Sequence, residues 1–537
     1  MFLKRIFNSK QKTIGSAVSI LAIAVLLSRL LGVLRDRLLA GSFGASIDLD
    51  IYFAAFKIPD LIYGIIFAGG VLVSLLPLFS DIYNKNKEKS WDFINNLINI
   101  FLVVFVVVGI LFFVFSPELV NKMVSGFDES AVQKTVELTR LIFISVLFFG
   151  LSSIFSTILN YFNRFVSYSL APILYNLGII FGIIFIAPHW GIFGVGVGVV
   201  FGAFLHLLIQ IPPAIKLGYR YKPIINFRDS KLKEFVTLII PRIIASSSSQ
   251  INFIVITFIA SGIGVGAISV FNLSNNLRYL PIGIIGVSFA TAIFPLLSKL
   301  WADGQVNEFC NRFVKLFNEV LYISFPIGIL IFVLRNEIVD IVLKTGSFDV
   351  VAAEITAAAL GLFCISTFAQ CLAPILLRGF FSLKDTVTPT VIAIFFVILN
   401  VFLSFFFVSI FSGDGMFTDV MKNILGLNGT VNFSVLGLVF AFNLGLLIEF
   451  LLLFYFFKKK IKELKYKEIY LTFAKVFCSS ILMGLFAFYL LSIINASSLV
   501  QFIIVSLASF AFYAILTIIL KMPEISAIKR LIRRNGN

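Results

Sequence analysis

At 537 residues the chain is 59% hydrophobic and only 13% charged, with a mean hydropathy of +1.04, whereas soluble domains are about 45–50% apolar and about 25% charged. That excludes a soluble protein and leaves one polytopic membrane domain, whose 2 His, 4 Cys and 3 Trp against 64 Phe are too few for an ordinary metal or nucleophilic centre. The net charge of +16 sits in short loops between apolar runs, a membrane pattern and not a nucleic-acid one.

About fourteen runs are long enough to cross a hydrocarbon core of about 30 Å, which takes about 20 residues each. The first, 14–40, carries Arg29, Arg35, Asp36 and Arg37. Arg29 and Asp36 are seven apart and share one stripe of the helix. This run is too long and too charged for a signal peptide and is retained. The second, 51–79, has Asp50 at its entrance and Lys57 before Pro59. Runs 93–116 and 137–160 follow, Arg140 opening the latter, and then 168–187 and 190–215, with His189 and His206 read as interfacial or packed. Arg242 follows Pro241 in 234–262, and Arg278 precedes Pro281 in 266–298. Runs 313–334, 352–378 and 387–411 lead to the longest outer loop, near 411–432, which holds Asp414 and Asp419. Glu449 lies in 433–457 and Lys475, read as snorkelling to the interface, in 469–493; 498–520 is last. The cysteines Cys310, Cys364, Cys371 and Cys478 follow no CxxC spacing and read as small buried apolar residues.

Alternate loops set the orientation. One set holds Lys4, Arg5, Lys10 and Lys12, then Lys85, Lys87 and Lys89, the stretch Lys216 to Lys233, Lys458 to Lys467, and Arg530, Arg533 and Arg534. The opposite set is poor in bases and locally acidic, as at Asp48, Asp50, Asp128 and Glu129. Both termini are therefore expected in the cytoplasm, with an even number of spans. The sequons Asn428-Gly429-Thr430 and Asn495-Ala496-Ser497 fall on the outer side.

An internal repeat organises these runs. Leu76-Pro77-Leu78-Phe79-Ser80 returns as Phe294-Pro295-Leu296-Leu297-Ser298, each followed by a polar loop and an acid–Phe pair, Asp92-Phe93 and Glu308-Phe309. Upstream, Gly64-Ile65-Ile66 matches Gly283-Ile284-Ile285. Further on, Asn160-Tyr161-Phe162-Asn163-Arg164 resembles Arg378-Gly379-Phe380-Phe381-Ser382. The period of about 218 residues spans six helices, an even number, so both copies enter the membrane in the same sense, as in transporters built from parallel repeats. The expected fold is all-α, with two pseudo-symmetric six-helix lobes, 1–218 and 219–457, and a C-terminal piece, 458–537, containing two further helices and a basic cytoplasmic tail.

Charges at membrane depth are costly and mark functional cavities by default. Arg29, Arg35, Lys57 and Arg278 are the expected substrate-binding cations, and Asp36, Asp50, Arg140 and Arg242 the expected gating or structural charges. A cationic cavity favours an anionic substrate, and arginine offers the planar fork suited to phosphate. No Walker A motif is present, so transport is expected to draw on an ion gradient such as Na+, the membrane potential, or consumption of substrate on the far side.

Several segments together resemble the MurJ (MviN) family of lipid II flippases: Ser28-Arg29-Leu30-Leu31-Gly32-Val33-Leu34-Arg35-Asp36 with Phe43-Gly44-Ala45 and Asp50, Phe53-Ala54-Ala55-Phe56-Lys57-Ile58-Pro59, Leu138-Thr139-Arg140, Ile158 to Phe165 with Ala171-Pro172, Ile225-Asn226-Phe227-Arg228-Asp229, and Arg378 to Thr386 with Thr388-Pro389. The resemblance implies the fold of the multidrug/oligosaccharidyl-lipid/polysaccharide (MOP) exporters and a polyprenyl-tail groove formed by the last two helices. It implies alternating-access movement of undecaprenyl-pyrophosphate-linked disaccharide pentapeptide to the outer leaflet, without covalent chemistry or cofactor, by a monomer in the bacterial inner membrane. Arg29 and Arg35 match family arginines associated with diphosphate binding or gating, and Asp36, Asp50 and Lys57 also match. The sequence departs from the family at Tyr63, Gly64 and Ala68, and at Asn276 and Tyr279, beside which Arg278 lies. The alternatives are an exporter of another polyprenyl-linked oligosaccharide, a drug/cation antiporter of the same fold, and a membrane-embedded glycosyltransferase, for which carboxylate clusters are lacking.

Overall fold

The computed structural model describes residues 14–65, 71–413, 415–427 and 433–525, with side chains except at 14–22, 71–73, 238–246 and 248. The basic termini, Ala68, Asp414, the sequon at Asn428 and the side chain of Arg242 lie outside the described residues. Among the described residues every regular element is helical. Ten helices are individually long and apolar enough to cross a membrane, and eleven if the pair 350–364 and 367–382, bent by 45°, is one span. The protein is thus a multi-pass α-helical membrane protein. The shortfall against fourteen runs falls on the charged first run, the broken second and the partly described seventh. The chain packs as two compact units, 1–269 and 270–537.

In the first unit, α1 (Ile14–Phe43) leads into a second run that is broken into α2 (Ile47–Ala55), α3 (Lys57–Tyr63) and α4 (Val71–Lys85). Then come α5 (Lys87–Met123), α6 (Glu129–Tyr161), α7 (Phe165–Phe181) with a π-helical turn into α8 (Ala187–Trp190), α9 (Ile192–Leu208), α10 (Ile211–Lys216) and α11 (Ser230–Ile263). Helices α7 and α9 approach through glycines. A Cβ on Gly178 would sit 2.3 Å from Gly202 Cα, and one on Gly182 2.6 Å from Gly198 Cα. Such small-residue contacts supply van der Waals packing where lipid removes the hydrophobic drive.

Asparagines dock the connection to α11. Asn95 Nδ2 donates to Arg220 O at 2.9 Å, Asn99 Nδ2 to Lys222 O and Ile224 O at 2.9 Å each, and Asn96 Nδ2 to Asn226 O at 3.0 Å, while Asn226 N donates to Asn96 Oδ1 at 2.6 Å. Outside the spans, Lys222 bonds Asp92 at 2.7 Å, and that bond holds its ammonium pKa above the usual lysine range. The Asn226 segment, prominent in the sequence, is therefore part of a strap held to α5 by Asn95, Asn96 and Asn99.

The second unit begins within α12 (Ala267–Pro281), followed by a π-helical turn (Ile282–Val287), α13 (Ser288–Ala302), α14 (Val306–Val333), α15 (Arg335–Val342), α16 (Val350–Cys364) and α17 (Thr367–Ser382). It continues with α18 (Val387–Ser412), α19 (Met416–Leu425), α20 (Ser434–Lys460), α21 (Tyr466–Ile493) and α22 (Ser498–Ile519). Gly64 and Ile65 lie in a π-helical turn, as do their repeat partners Gly283 and Ile284. The sequence match thus coincides with the same backbone irregularity, of a kind frequent at functional positions. The loop near 411–432, expected on the outer side, contains the helix α19, with Met421 and Leu425 buried and Met416 exposed.

Several spans contain proline, which frees the carbonyl four residues earlier. In lipid that carbonyl needs another donor. Pro117 in α5 frees Phe113 O, which accepts Arg140 Nη2 at 2.7 Å and Ser116 Oγ at 3.1 Å. Pro326 in α14 frees Tyr322 O, which accepts the Tyr513 hydroxyl at 3.0 Å.

Candidate functional site

In the first unit, charges on α1 and α3 meet neutral polar side chains of α2 and α7. On α1, Asp36 is 5% exposed and orders its neighbour: Arg35 Nε and Nη2 donate to Asp36 Oδ1 at 3.0 and 2.8 Å. Arg35 Nη1 donates to Asn176 Oδ1 at 3.2 Å, and Asn176 is fixed by its own Nδ2 donations to Pro172 O at 3.1 Å and Ser28 O at 3.3 Å. A guanidinium has five N–H donors. Among the described residues three are engaged, so Arg35 is a half-buried fork held in place with two donors facing no described acceptor. Arg29, also half-buried, lies six residues earlier, about 9 Å along the helix axis.

Lys57 opens α3 where the second run breaks at Phe56, and its Nζ lies 5.5 Å from the Phe253 ring. One turn on, Asp60 is exposed. Tyr52 and Tyr175 lie within electrostatic range of both Arg35 and Asp60, and Asp60 is in range of Lys57. Two cations, two carboxylates, two phenols and Asn176 therefore form one polar constellation. Asp60, Asn176, Tyr52 and Tyr175 escape the sequence reading. The i, i+3 spacing of Lys57 and Asp60 inside one apolar run was the available signal for the first of these.

The remaining charges are placed differently. Asp50 on α2 is fully buried and accepts from Gly266 N and Ser269 N at 2.7 Å each and from Ser269 Oγ at 2.5 Å. It caps the start of α12 from a neighbouring helix, a position where a carboxylate also meets the positive end of the helix dipole. Gly266 has φ +86°, and a Cβ there would lie 2.6 Å from Ala45 O, so the latch requires glycine. Arg140 is tied to α5 through Ser116 Oγ at 2.8 Å, Phe113 O, and the Phe113 ring at 4.0 Å. It repairs the Pro117 break.

Arg278, expected to bind substrate, is 3% exposed. Its guanidinium lies 4.4 Å from the Phe363 ring and 5.4 Å from the Phe442 ring, and Nη2 donates to Asn275 Oδ1 at 2.6 Å. It is packed inside the second unit. Lys475 donates to Leu520 O at 3.0 Å, a helix-terminal bond in place of simple snorkelling. His206 is packed, Nδ1 lying 2.7 Å from Ser152 Oγ. Of the cysteines, Cys478 is exposed and the other three are buried.

The second unit also contains an apolar cleft of about 550 Å³, walled by Phe325, Phe332, Phe368, Phe440, Phe473 and Phe477 and closed on one side by α19 through Met421. Its lining includes no charged residue, and α21 contributes to it whereas α22 does not. Among the described residues no three His, Cys, Asp or Glu side chains are grouped to hold a metal ion.

Ten or more apolar helical spans with charged side chains among them define a polytopic membrane protein of the transporter kind. An inward-facing MATE-family multidrug transporter of the MOP superfamily has a TM-score of 0.65 at 15% identity, covering 84% of this chain and 99% of that one, a likeness of fold alone. Residues 39–510 match the family described as lipid II flippase MurJ, and the chain belongs to that family. A probable lipid II flippase MurJ of Buchnera aphidicola subsp. Schizaphis graminum is 31% identical over 453 residues, covering 80% of this chain and 88% of its own. The lipid II flippase MurJ of Burkholderia cenocepacia is 28% identical, covering 73% and 78%. A solved lipid II flippase MurJ in an inward closed conformation has a TM-score of 0.76 at 25% identity, covering 93% of this chain and 98% of that one.

Proposed function

We propose that this protein translocates lipid II, the undecaprenyl-pyrophosphate-linked peptidoglycan precursor, from the inner to the outer leaflet of the bacterial cytoplasmic membrane. It is a transporter and makes or breaks no covalent bond. It works as a monomer of fourteen spans with both termini in the cytoplasm, the duplicated six-helix sets 1–218 and 219–457 providing the halves of an alternating-access cycle. Membership in the family supports the reading, and the observation that carries it to particular residues is the oriented Arg35 fork with its two uncommitted donors.

A diphosphate is met by that fork together with Arg29 and Lys57, since planar bidentate donors match phosphate oxygens. Asp36 and Asn176 keep the fork aimed. Asp60 offsets part of the positive charge, so the head group is held strongly enough to enter but can still leave. The apolar cleft of about 550 Å³ suits part of a polyprenyl tail. It lacks any polar group to orient a head group. The membrane potential or a cation gradient drives the cycle.

Complementation of a bacterium depleted of its own lipid II flippase tests this reading. Growth with the wild-type chain, and failure with Arg29→Ala at equal membrane abundance and with empty vector, is the expected result. Normal growth with Arg29→Ala would remove Arg29 from the path, and failure of a well-expressed wild type would shift the assignment to another polyprenyl-linked glycan.

A further inference from the structure

The strap that joins α10 to α11 crosses α5 with one apolar edge turned outward. Tyr221, Pro223, Ile225 and Phe227 occupy alternate positions along it, and all four are exposed, Tyr221, Ile225 and Phe227 by more than half. Alternate side chains of an extended segment share a side. A row of large apolar groups on one side of a loop calls for a cover.

The register of the strap on α5 gives the depth of this ridge. Lys87, Glu88, Lys89 and Asp92 occupy the first turns of the helix, whereas from Ile100 to Phe115 no residue is polar. At 1.5 Å per residue that stretch is about 24 Å long, short of a hydrocarbon core of about 30 Å, so Asn99 stands at the hydrocarbon boundary. Asn99 Nδ2 donates to Lys222 O and Ile224 O at 2.9 Å each, which sets Pro223 at that level, and the Tyr221 hydroxyl donates to Asn99 Oδ1 at 2.9 Å. Lys222 Nζ turns back to Asp92 at 2.7 Å and Glu88 at 3.5 Å, both nearer the charged start of the helix. That is the direction in which a lysine at a membrane surface extends its ammonium.

Irregular backbone at such a depth needs its polar groups taken by protein. Asparagines of α5 take the carbonyls of Arg220, Lys222, Ile224 and Asn226 and the N–H of Asn226. Ile224 N donates to Lys222 O at 2.8 Å. Pro223, the innermost residue, has no N–H to satisfy. Arg220 and Arg228 flank the ridge and are exposed, as are Lys216 and Lys233 just beyond. An apolar ridge rimmed by bases at the level of a bilayer surface complements anionic lipid.

We infer that the strap 220–228 is an interfacial anchor whose partner is the phospholipid leaflet around the start of α5, the cytoplasmic leaflet on the orientation proposed above. Pro223, Ile225 and Phe227 enter the edge of the hydrocarbon, Tyr221 lies at head-group level, and Arg220 and Arg228 hold anionic head groups. The inference requires that α5 spans the membrane and is independent of the substrate carried.

The test places an environment-sensitive fluorophore on the purified full-length chain at Ile225→Cys, Phe227→Cys or, near the polar start of α5, Lys85→Cys. Each is made with Cys478→Ser, which removes the other exposed thiol, and is reconstituted in vesicles of phosphatidylcholine with or without phosphatidylglycerol. Lipid carrying a doxyl quencher near the glycerol should quench the labels at Ile225→Cys and Phe227→Cys at least about twofold more than the one at Lys85→Cys, and aqueous iodide should do the reverse. Phosphatidylglycerol should increase the lipid quenching, and Arg220→Gln with Arg228→Gln should remove the increase. Either strap position serves if the other substitution prevents folding. Iodide reaching the strap labels as freely as Lys85→Cys would overturn the inference. So would labels shielded in native membranes but open to iodide in the vesicles, the mark of a protein partner covering the ridge. Quenching indifferent to phosphatidylglycerol would overturn the part assigned to the two arginines.

Discussion

In the first unit Arg35 is held by Asp36 and Asn176 with donors to spare, and Lys57 and Asp60 stand one turn apart within electrostatic range of each other. In the second, Arg278 is shut between Phe363 and Phe442, while the cleft of about 550 Å³ has no charged residue in its lining. The repeat that relates Gly64 to Gly283 therefore preserves backbone shape and not charge. A duplicated scaffold can divide an amphiphile between its copies, one keeping ionic chemistry for a head group and the other an apolar wall for a chain.

The largest expected effect comes from the fork. Arg35→Ala should lower translocation by about 10²-fold, since two charge-assisted bonds at about 1.5 kcal/mol each are at stake. Arg35→Lys should recover only part of it, a point charge replacing a planar fork. Both are read as translocation per folded molecule in reconstituted vesicles, and full activity of the alanine variant would break the division proposed for the two units. Next comes the cleft. Ile481→Trp narrows it and should slow translocation of a full-length polyprenyl substrate about tenfold while sparing a short-chain analogue. Equal loss for both chain lengths would show that the cleft does not handle the tail.

Two smaller effects compare how the units tolerate proline. Arg140→Ala strips Phe113 O of its charged donor and should cost about 1–3 kcal/mol of stability. Tyr513→Phe strips Tyr322 O of a neutral donor and should cost about 0.5–1.5 kcal/mol. Thermal unfolding in detergent orders the pair, and translocation per folded molecule should be unchanged in the first.

The smallest effect concerns pH. Partial burial pushes Asp385 up, but bonds from Lys460 and from Thr388 N at 3.0 Å outweigh it and hold the carboxyl below its ordinary value. Its contribution is therefore fully present above the unfolded value of about 3.9 and is lost as pH falls through the lower folded value. Stability should not change between pH 5 and pH 8 on its account, and Asp385→Asn should flatten the acid limb of the melting profile.

The sequence carried much of this because membrane architecture is dictated locally. Apolar runs and basic loops follow from the bilayer, and the Gly64/Gly283 match, read only as part of a repeat, falls on a shared backbone feature. Arg35 and Asp36 were visible as charges at depth. What stayed hidden depends on tertiary contact: that Arg140 answers the carbonyl freed by Pro117, that Asp50 caps α12 from more than two hundred residues away, and that Arg278 is enclosed by rings from α16 and α20. Breaks at Phe56 and Ile365 were also illegible, since an apolar run looks the same whether its helix is continuous or bent. Asn176, a neutral residue in an apolar run, gave no sign that it would aim an arginine.

The most direct test of the central claim is the fraction of lipid II exposed in the outer leaflet, measured with a membrane-impermeant lipid II-cleaving enzyme on cells whose only flippase is this chain. Cells carrying the wild type should expose most of the pool, and cells carrying Arg35→Ala at equal abundance should keep it inside. An Arg35→Ala strain that exposes as much lipid II as the wild type would contradict the account.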